Sequence, residues 1–288
     1  MKLVSGSLKR RREQLGISQA EVAEGICHQS LLSRIERTDE VSNMTVLQKL
    51  CERLQLNAAD IARINEKALT PLSVVRRLIE KNQIEEAEEA LLNPALTTRI
   101  PIYAIPEFNV LRARVALYHS QAAEAMQLLQ VALGDVDKYQ VELTIEIFTE
   151  MGATWTAQDK NELAAECFER ACGLIRQSSV DTQAAMASVI THTYRHQAEM
   201  YLASGFADKA MERVVEALEM LPTTTDYHEM VALQTIRMKC ADALALSTEK
   251  KEAQLLAYAA AEFSKDVTLK EDVKAYSMLA SFIVSNLV

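Results

Sequence analysis

Glycine and proline are scarce in this 288-residue chain, 7 and 5 residues respectively, and aromatic residues make up 5% of it. Alternating runs of Val, Ile, Thr and aromatics are nearly absent, which argues against a sandwich or barrel. With so few glycines, phosphate cradles are hard to build, and no Gly-x-Gly-x-x-Gly, phosphate-loop or Gly-x-Ser-x-Gly pattern occurs. No run of about 20 apolar residues is present to span a bilayer. The opening Met1-Lys2-Leu3-Val4-Ser5 lacks the apolar stretch of a signal peptide. The five cysteines, Cys27, Cys51, Cys167, Cys172 and Cys240, are odd in number and form no Cys-x-x-Cys pair. They read as reduced core thiols in a reducing compartment. These absences point to a cytoplasmic location and no membrane partner.

Catalysis finds little support. The histidines are scattered, and only His192 and His196 share a helical face. Thr193-Tyr194-Arg195 between them lacks the Glu that follows the first His of a zinc-protease helix. We expect no catalytic residue, no metal, no cofactor and no enzymatic activity.

What is abundant is Ala, Leu, Glu, Gln and Met, the residues that lose least entropy in a helix. The expected fold is all-α. Charge is unevenly spread beneath the net -9. Residues 1–67 carry 11 Lys+Arg against 9 Asp+Glu, a net +2, and the remainder carries 20 against 31, a net -11. A basic head on an acidic body suits a DNA-binding module joined to a separate sensing module. The expected division is 1–66 and 67–288.

Four short helices are expected in the head. Leu8 to Leu15 ends at Gly16, a left-handed cap. Ser18 and Glu21 form a capping box for Gln19 to Glu24. After Gly25, a third helix covers Gln29 to Arg37, and a fourth covers Thr45 to Leu54. Two such helices across a glycine turn make a helix-turn-helix, whose second helix enters the major groove. The side chains placed there are His28, Gln29, Ser30, Ser33 and Arg34. Gln suits adenine and Arg suits guanine. Gln19 at a helix start, and Arg11 in the run Lys9 to Arg12, would hold phosphates. The stretch LGISQAEVAEGICHQSLLSRIER resembles the Xre/Cro-type helix-turn-helix family. It departs from that pattern at Thr38 and Ser42, where Gly and Pro are common, so the Thr38–Met44 loop should bend differently.

Beyond Leu69, polar breaks fall near Asn82, Ser120, Lys160, Gly205 and residues 248–250. Their spacing is that of helix-pair repeats. In THTYRHQAEMYLASGFADKAMERVVEALEMLP, the residues Tyr194, Ala198, Tyr201, Gly205, Ala210, Ala217 and Pro222 match a tetratricopeptide pattern. Ala87, Ala125 and Ala165 take the small position of earlier units, and Leu269 to Val288 reads as a last helix. The first helix of each pair builds the concave face of such a solenoid. Projecting the register places Arg76, Arg114, Glu150, Thr154, His192, Arg195 and Glu199 toward that groove, with Asn109 and Arg112 close by. Asn amides would pair with a peptide backbone, and Arg would take its C-terminal carboxylate or an acidic side chain.

As a whole, the chain resembles the peptide-sensing regulators of Gram-positive bacteria, the Rgg, PlcR and PrgX-like proteins often grouped with Rap and NprR. The resemblance implies a homodimer, a short signalling peptide bound in the groove, and a double-stranded DNA operator with two half-sites. A competing expectation is a protein-interaction adaptor whose head does not bind DNA. A third, borrowed from the Rap-like branch, is phosphatase activity, although that branch lacks a DNA-binding head.

Overall fold

The computed structural model describes residues 2–3, 6–41, 43–56, 62–63, 71–97, 100, 104–136, 140–221, 227–264 and 267–274. The expected boundary at 66–67, Ser42, Pro222 and the stretch 275–288 of the expected last helix lie outside these residues. Contacts divide the chain into two compact units. One is Met1–Val74 with 137–140, and the other is Val75–Val136 with Val141–Val288.

The first unit holds α1 (Ser7–Gln14), α2 (Gln19–Ala23), α3 (Gln29–Thr38) and α4 (Met44–Arg53). A two-residue antiparallel pairing of Lys2–Leu3 with Ala62–Arg63 accompanies them. Capping chemistry sets the boundaries. Ser18 Oγ accepts from the Glu21 amide at 3.2 Å while Glu21 Oε2 accepts from the Ser18 amide at 2.6 Å. This is the reciprocal box read from the sequence. Asn43 Oδ1 caps α4 by accepting from the Thr45 amide at 2.9 Å. At the end of α3, left-handed geometry falls on Asp39 (φ 52), one residue beyond Thr38. Asp39 Oδ1 accepts from the Gly6 amide at 2.9 Å, and its carbonyl accepts from the Leu3 amide at 2.7 Å. The unusual loop is thereby tied to the N-terminal segment. Leu8, Val22, Leu32, Ile35, Leu47, Leu50 and Leu54 form the fully buried centre of this unit's core.

The rest of the chain is built on five helical hairpins. Their helices are Pro71–Glu80 with Ile84–Leu92, Ile105–Tyr118 with Ala122–Asp135, and Val141–Thr156 with Asn161–Gln177. The fourth and fifth are Ala187–Ala203 with Ala207–Met220 and Tyr227–Ala243 with Ser247–Ser264. Every hairpin turns in the same way. One residue takes positive φ, namely Asn82, Ser120, Asp159, Gly205 or Ala245. The amide of the next residue then reaches back five positions, as in Gln83 to Leu78 and Leu246 to Ala241, both 2.8 Å. This pair of backward bonds satisfies the last carbonyls of each first helix.

The shared turn also fixes where helices touch. Ala87, Ala125, Ala164 and Ala210 each lie five residues after their turn and are fully buried. The third of these corrects the expected Ala165, which is exposed. The turn there is at Asp159 and not Lys160, so the whole hairpin moves by one position. In the fifth hairpin the turn precedes the expected 248–250 stretch. Gly152 marks a close approach, because a Cβ there would lie 2.7 Å from the buried Phe168 ring.

Candidate functional site

Two sites emerge, one in each unit. In the first, α2 and α3 bound a shallow recess lined by Gln19, Glu21, Glu24, His28, Gln29, Ser30 and Ser33, among others. Of the seven residues expected to touch DNA, Gln19, His28, Gln29, Ser30 and Ser33 line this recess, and Arg34 and Arg11 do not. His28, Gln29, Ser30, Ser33 and Arg34 are all exposed. Leu32 and Ile35 anchor the opposite face of α3 in the core.

The other two expected contacts, Gln19 and Arg11, and the neighbouring Arg12 make bonds within the head. Arg12 makes a two-pronged ion pair with Glu36, at 2.7 and 2.9 Å, and Gln19 Nε2 donates to Glu36 Oε2 at 2.8 Å. Glu36 is 8% exposed. One buried carboxylate thus ties α1, α2 and α3 together through charge-assisted bonds. Arg11, expected to hold phosphate, donates from Nε to the Leu54 carbonyl at 3.0 Å and secures the end of α4. Arg53 donates to the Glu21 carbonyl at 3.1 Å, to that of Val22 at 3.3 Å and to that of Glu24, closing the C-terminus of α2. Sequence reasoning missed Glu36, although it sits four residues after Leu32 on the apolar face. A carboxylate in that register needs a partner.

The second site is a cavity of about 830 Å³ to which the first helix of all five hairpins contributes. That volume lies in the upper range for pockets that enclose small ligands. Six of the nine projected groove residues line it: Arg76, Arg114, Glu150, His192, Arg195 and Glu199. The other three do not. Thr154 is fully buried and donates to the Glu150 carbonyl at 2.7 Å. Asn109 is also buried. Arg112 lies two positions before Arg114, about 200° around the helix. It stacks over Phe108 and pairs with Glu124 of the same hairpin at 3.6 Å.

Glu146, His196 and Glu229 line the cavity as well and were not anticipated. With Glu107 they complete a continuous polar seam. Arg76 bridges Glu107 at 3.0 Å and Glu146. Arg114 bridges Glu146 and Glu150, both at 2.7 Å. Glu150 accepts from His192 at 2.9 Å. Arg195 reaches Glu199 and Glu229, each at 2.8 Å, and also touches both imidazoles. Burial pushes the Glu146 carboxyl upward, but Arg76 and Arg114 together outweigh it and hold it at about 2. Glu150 is likewise held well below the usual carboxylate range despite its burial. His192 is pushed down by burial and by its neighbour His196, against the bond to Glu150. The Thr191 hydroxyl, buried in the cavity wall, makes no hydrogen bond among the described residues. Glu150, His192 and His196 have the spacing of a metal cluster, with ligand atoms within 4.8 Å of one another. The Arg195 guanidinium, however, lies 3.1 Å from His192 Nδ1 and 3.0 Å from His196 Nε2, where a cation would have to enter.

These two sites define a class: a helix-turn-helix head carried by a helical-repeat body. Residues 8–61 match the helix-turn-helix family. The chain shares its fold with Bacillus thuringiensis PlcR, solved in complex with the peptide PapR7 and DNA. The TM-score is 0.62 at 17% identity, covering 93% of this chain and 98% of PlcR. ComR from S. thermophilus, solved with DNA and its signalling peptide ComS, gives 0.57 at 13% identity over 94% of this chain and 97% of its own. Apo ComR from Streptococcus vestibularis gives 0.52 at 12% identity, over 93% and 94%. At these identities the likeness is one of fold. No curated protein matches the chain. Among the described residues no helix is long and apolar enough to cross a membrane.

Proposed function

We propose that this chain is a cytoplasmic, homodimeric transcription regulator, without enzymatic activity, whose DNA binding is controlled by a short signalling peptide. The observation that carries the reading is the pairing of an outward polar face on α3 with a half-open cavity in the repeats, on the fold of PlcR and ComR. Both of those proteins were solved with peptide and DNA together. In this reading His28, Gln29, Ser30, Ser33 and Arg34 meet base edges. Gln19 and Arg11 act indirectly, holding the helices in place. Arg76, Arg114, Glu150, His192, Arg195 and Glu199 form the floor of the peptide site. The peptide acts through its different affinity for two arrangements of the dimer, since no other ligand property moves an equilibrium.

Selection of duplexes from a random pool by the full-length chain tests the first half. An enriched sequence should appear, with affinity falling steeply as salt rises, because phosphate contacts release counterions. Arg34→Ala should weaken that complex by about 1–3 kcal/mol and relax preference at one base position. Unchanged affinity and selectivity in that variant would remove α3 from the interface.

A further inference from the structure

The charge of the repeat cavity says what kind of peptide it takes; the argument rests on the peptide reading above. The seam holds five carboxylates, those of Glu107, Glu146, Glu150, Glu199 and Glu229. Against them stand three guanidiniums, those of Arg76, Arg114 and Arg195.

Geometry decides the state of the two histidines. A guanidinium has donors only. His192 Nδ1 faces an Arg195 nitrogen at 3.1 Å and accepts from it, which leaves Nε2–H for the nearer of its two neighbours, Glu150 at 2.9 Å, with an Arg114 nitrogen farther off at 3.4 Å. His196 Nε2 faces Arg195 at 3.0 Å and must also accept, while Nδ1–H donates to Glu199 at 2.8 Å. Both rings are neutral in this arrangement. Five negative charges against three positive leave the seam at −2; the cavity lining itself has Glu80 in place of Glu107, which gives the same balance, and includes no lysine.

Each arginine is already paired twice: Arg76, Arg114 and Arg195 each contact two carboxylates of the seam. An incoming carboxylate would compete with those glutamates for the same guanidiniums, and a buried glutamate that lost its partner is costly. An incoming ammonium or guanidinium displaces nothing and meets unbalanced negative charge. The expected role of these arginines, capture of a peptide carboxylate, is thus the one the geometry disfavours. Ile79, Leu117, Val189 and Leu221 supply apolar wall between the charged stretches.

We infer that the repeat cavity selects a cationic peptide, one that brings two positive charges, as an α-ammonium and a Lys or Arg side chain, to the Glu146, Glu150 and Glu229 carboxylates. Its C-terminal carboxylate lies away from the seam. Apolar residues between the charges rest on the cavity wall.

The test compares three synthetic pools of random short peptides, matched in length and hydropathy, bearing lysine pairs, no ionised side chain, or glutamate pairs. Binding to the full-length protein is read by fluorescence anisotropy at neutral pH. The lysine pool should bind at least about tenfold more tightly than the glutamate pool, equivalent to about 1.4 kcal/mol. Glu229→Gln and Glu150→Gln should each narrow that difference. Because the wild-type comparison decides alone, a variant that fails to fold costs nothing. Tighter binding of the glutamate or uncharged pool overturns the charge assignment and leaves the peptide site standing. Binding of no pool overturns the peptide site and the inference with it. Stabilisation by spermidine alone or by zinc alone, without peptide binding, likewise overturns both in favour of a polyamine or metal site.

Discussion

The head and the repeat unit use charge in opposite ways. In the head, one buried carboxylate, Glu36, gathers Arg12 and Gln19, and the polar side chains of α3 are left facing outward. In the repeat unit, eight charged groups and two histidines run inward along one seam, each held by a neighbour from the next hairpin or the same helix. The first arrangement builds a support for an exposed polar face. The second builds a lined cavity whose ionic balance is left incomplete. Charge at the surface is worth little to stability, whereas buried charge is costly unless paired. The two regions should therefore respond differently to the same class of mutation.

Arg114→Ala should have the largest effect on folding. It leaves Glu146 with Arg76 alone and Glu150 with His192 alone, and loss of one partner of a buried pair typically costs about 3–5 kcal/mol. Urea unfolding of the full chain would report it; a change below about 1 kcal/mol would mean that water replaces the guanidinium and the seam is open. Gly152→Ala comes next. The added methyl meets the Phe168 ring, and overpacking of this kind costs roughly 1–3 kcal/mol. An unchanged midpoint would show that Phe168 has room to move. In the head, Ser18→Ala should cost about 1 kcal/mol by removing one side of the capping box. The same substitution at the exposed Ser33 should leave stability unchanged while weakening DNA binding, which separates support from reading face.

Acid should also distinguish the regions. His192 has its affinity for a proton lowered from 6.5, so the stability contributed by the neutral ring is complete above that pH and is lost as pH falls below it. Glu146, lowered from 4.5 to about 2, contributes stability above 4.5 that disappears toward pH 2. The repeat unit should therefore weaken in two stages on acidification. No comparable histidine network exists among the described residues of the head. Hydrogen exchange resolved by region would follow this, and a head that loosened first would contradict it.

Local signals carried most of the head and most of the repeat period. Ser18 and Glu21 named their helix start because capping is a contact between near neighbours. Asn82, Ser120 and Gly205 marked their turns because Asn, Ser and Gly are residues that turns favour. Asp159 and Ala245 take the same left-handed geometry. Ala carries no such signature, which puts the expected fifth turn a few residues late; Asp does, but it stands beside the equally polar Lys160, which puts the expected third turn one residue late. That slip moved the small position from Ala164 to Ala165. Asn109, Arg112 and Thr154 lie outside the cavity lining for reasons that spacing does not show: Arg112 is about 200° around the helix from Arg114, and Asn109 and Thr154 are buried. Partners far apart in the chain were not legible at all. Nothing near Arg12 announces Glu36, and nothing near Arg76 announces Glu146; only the fold brings them together.

The central claim is that occupancy of the repeat cavity alters what the head does. The direct measurement is the affinity of the full-length chain for its selected duplex, with and without a saturating lysine-bearing peptide drawn from the tightest-binding pool. The account predicts a shift in either direction within the ordinary range of allosteric coupling, about 5–150-fold, and no shift with the matched glutamate peptide. An affinity unchanged by a peptide shown to fill the cavity would contradict it.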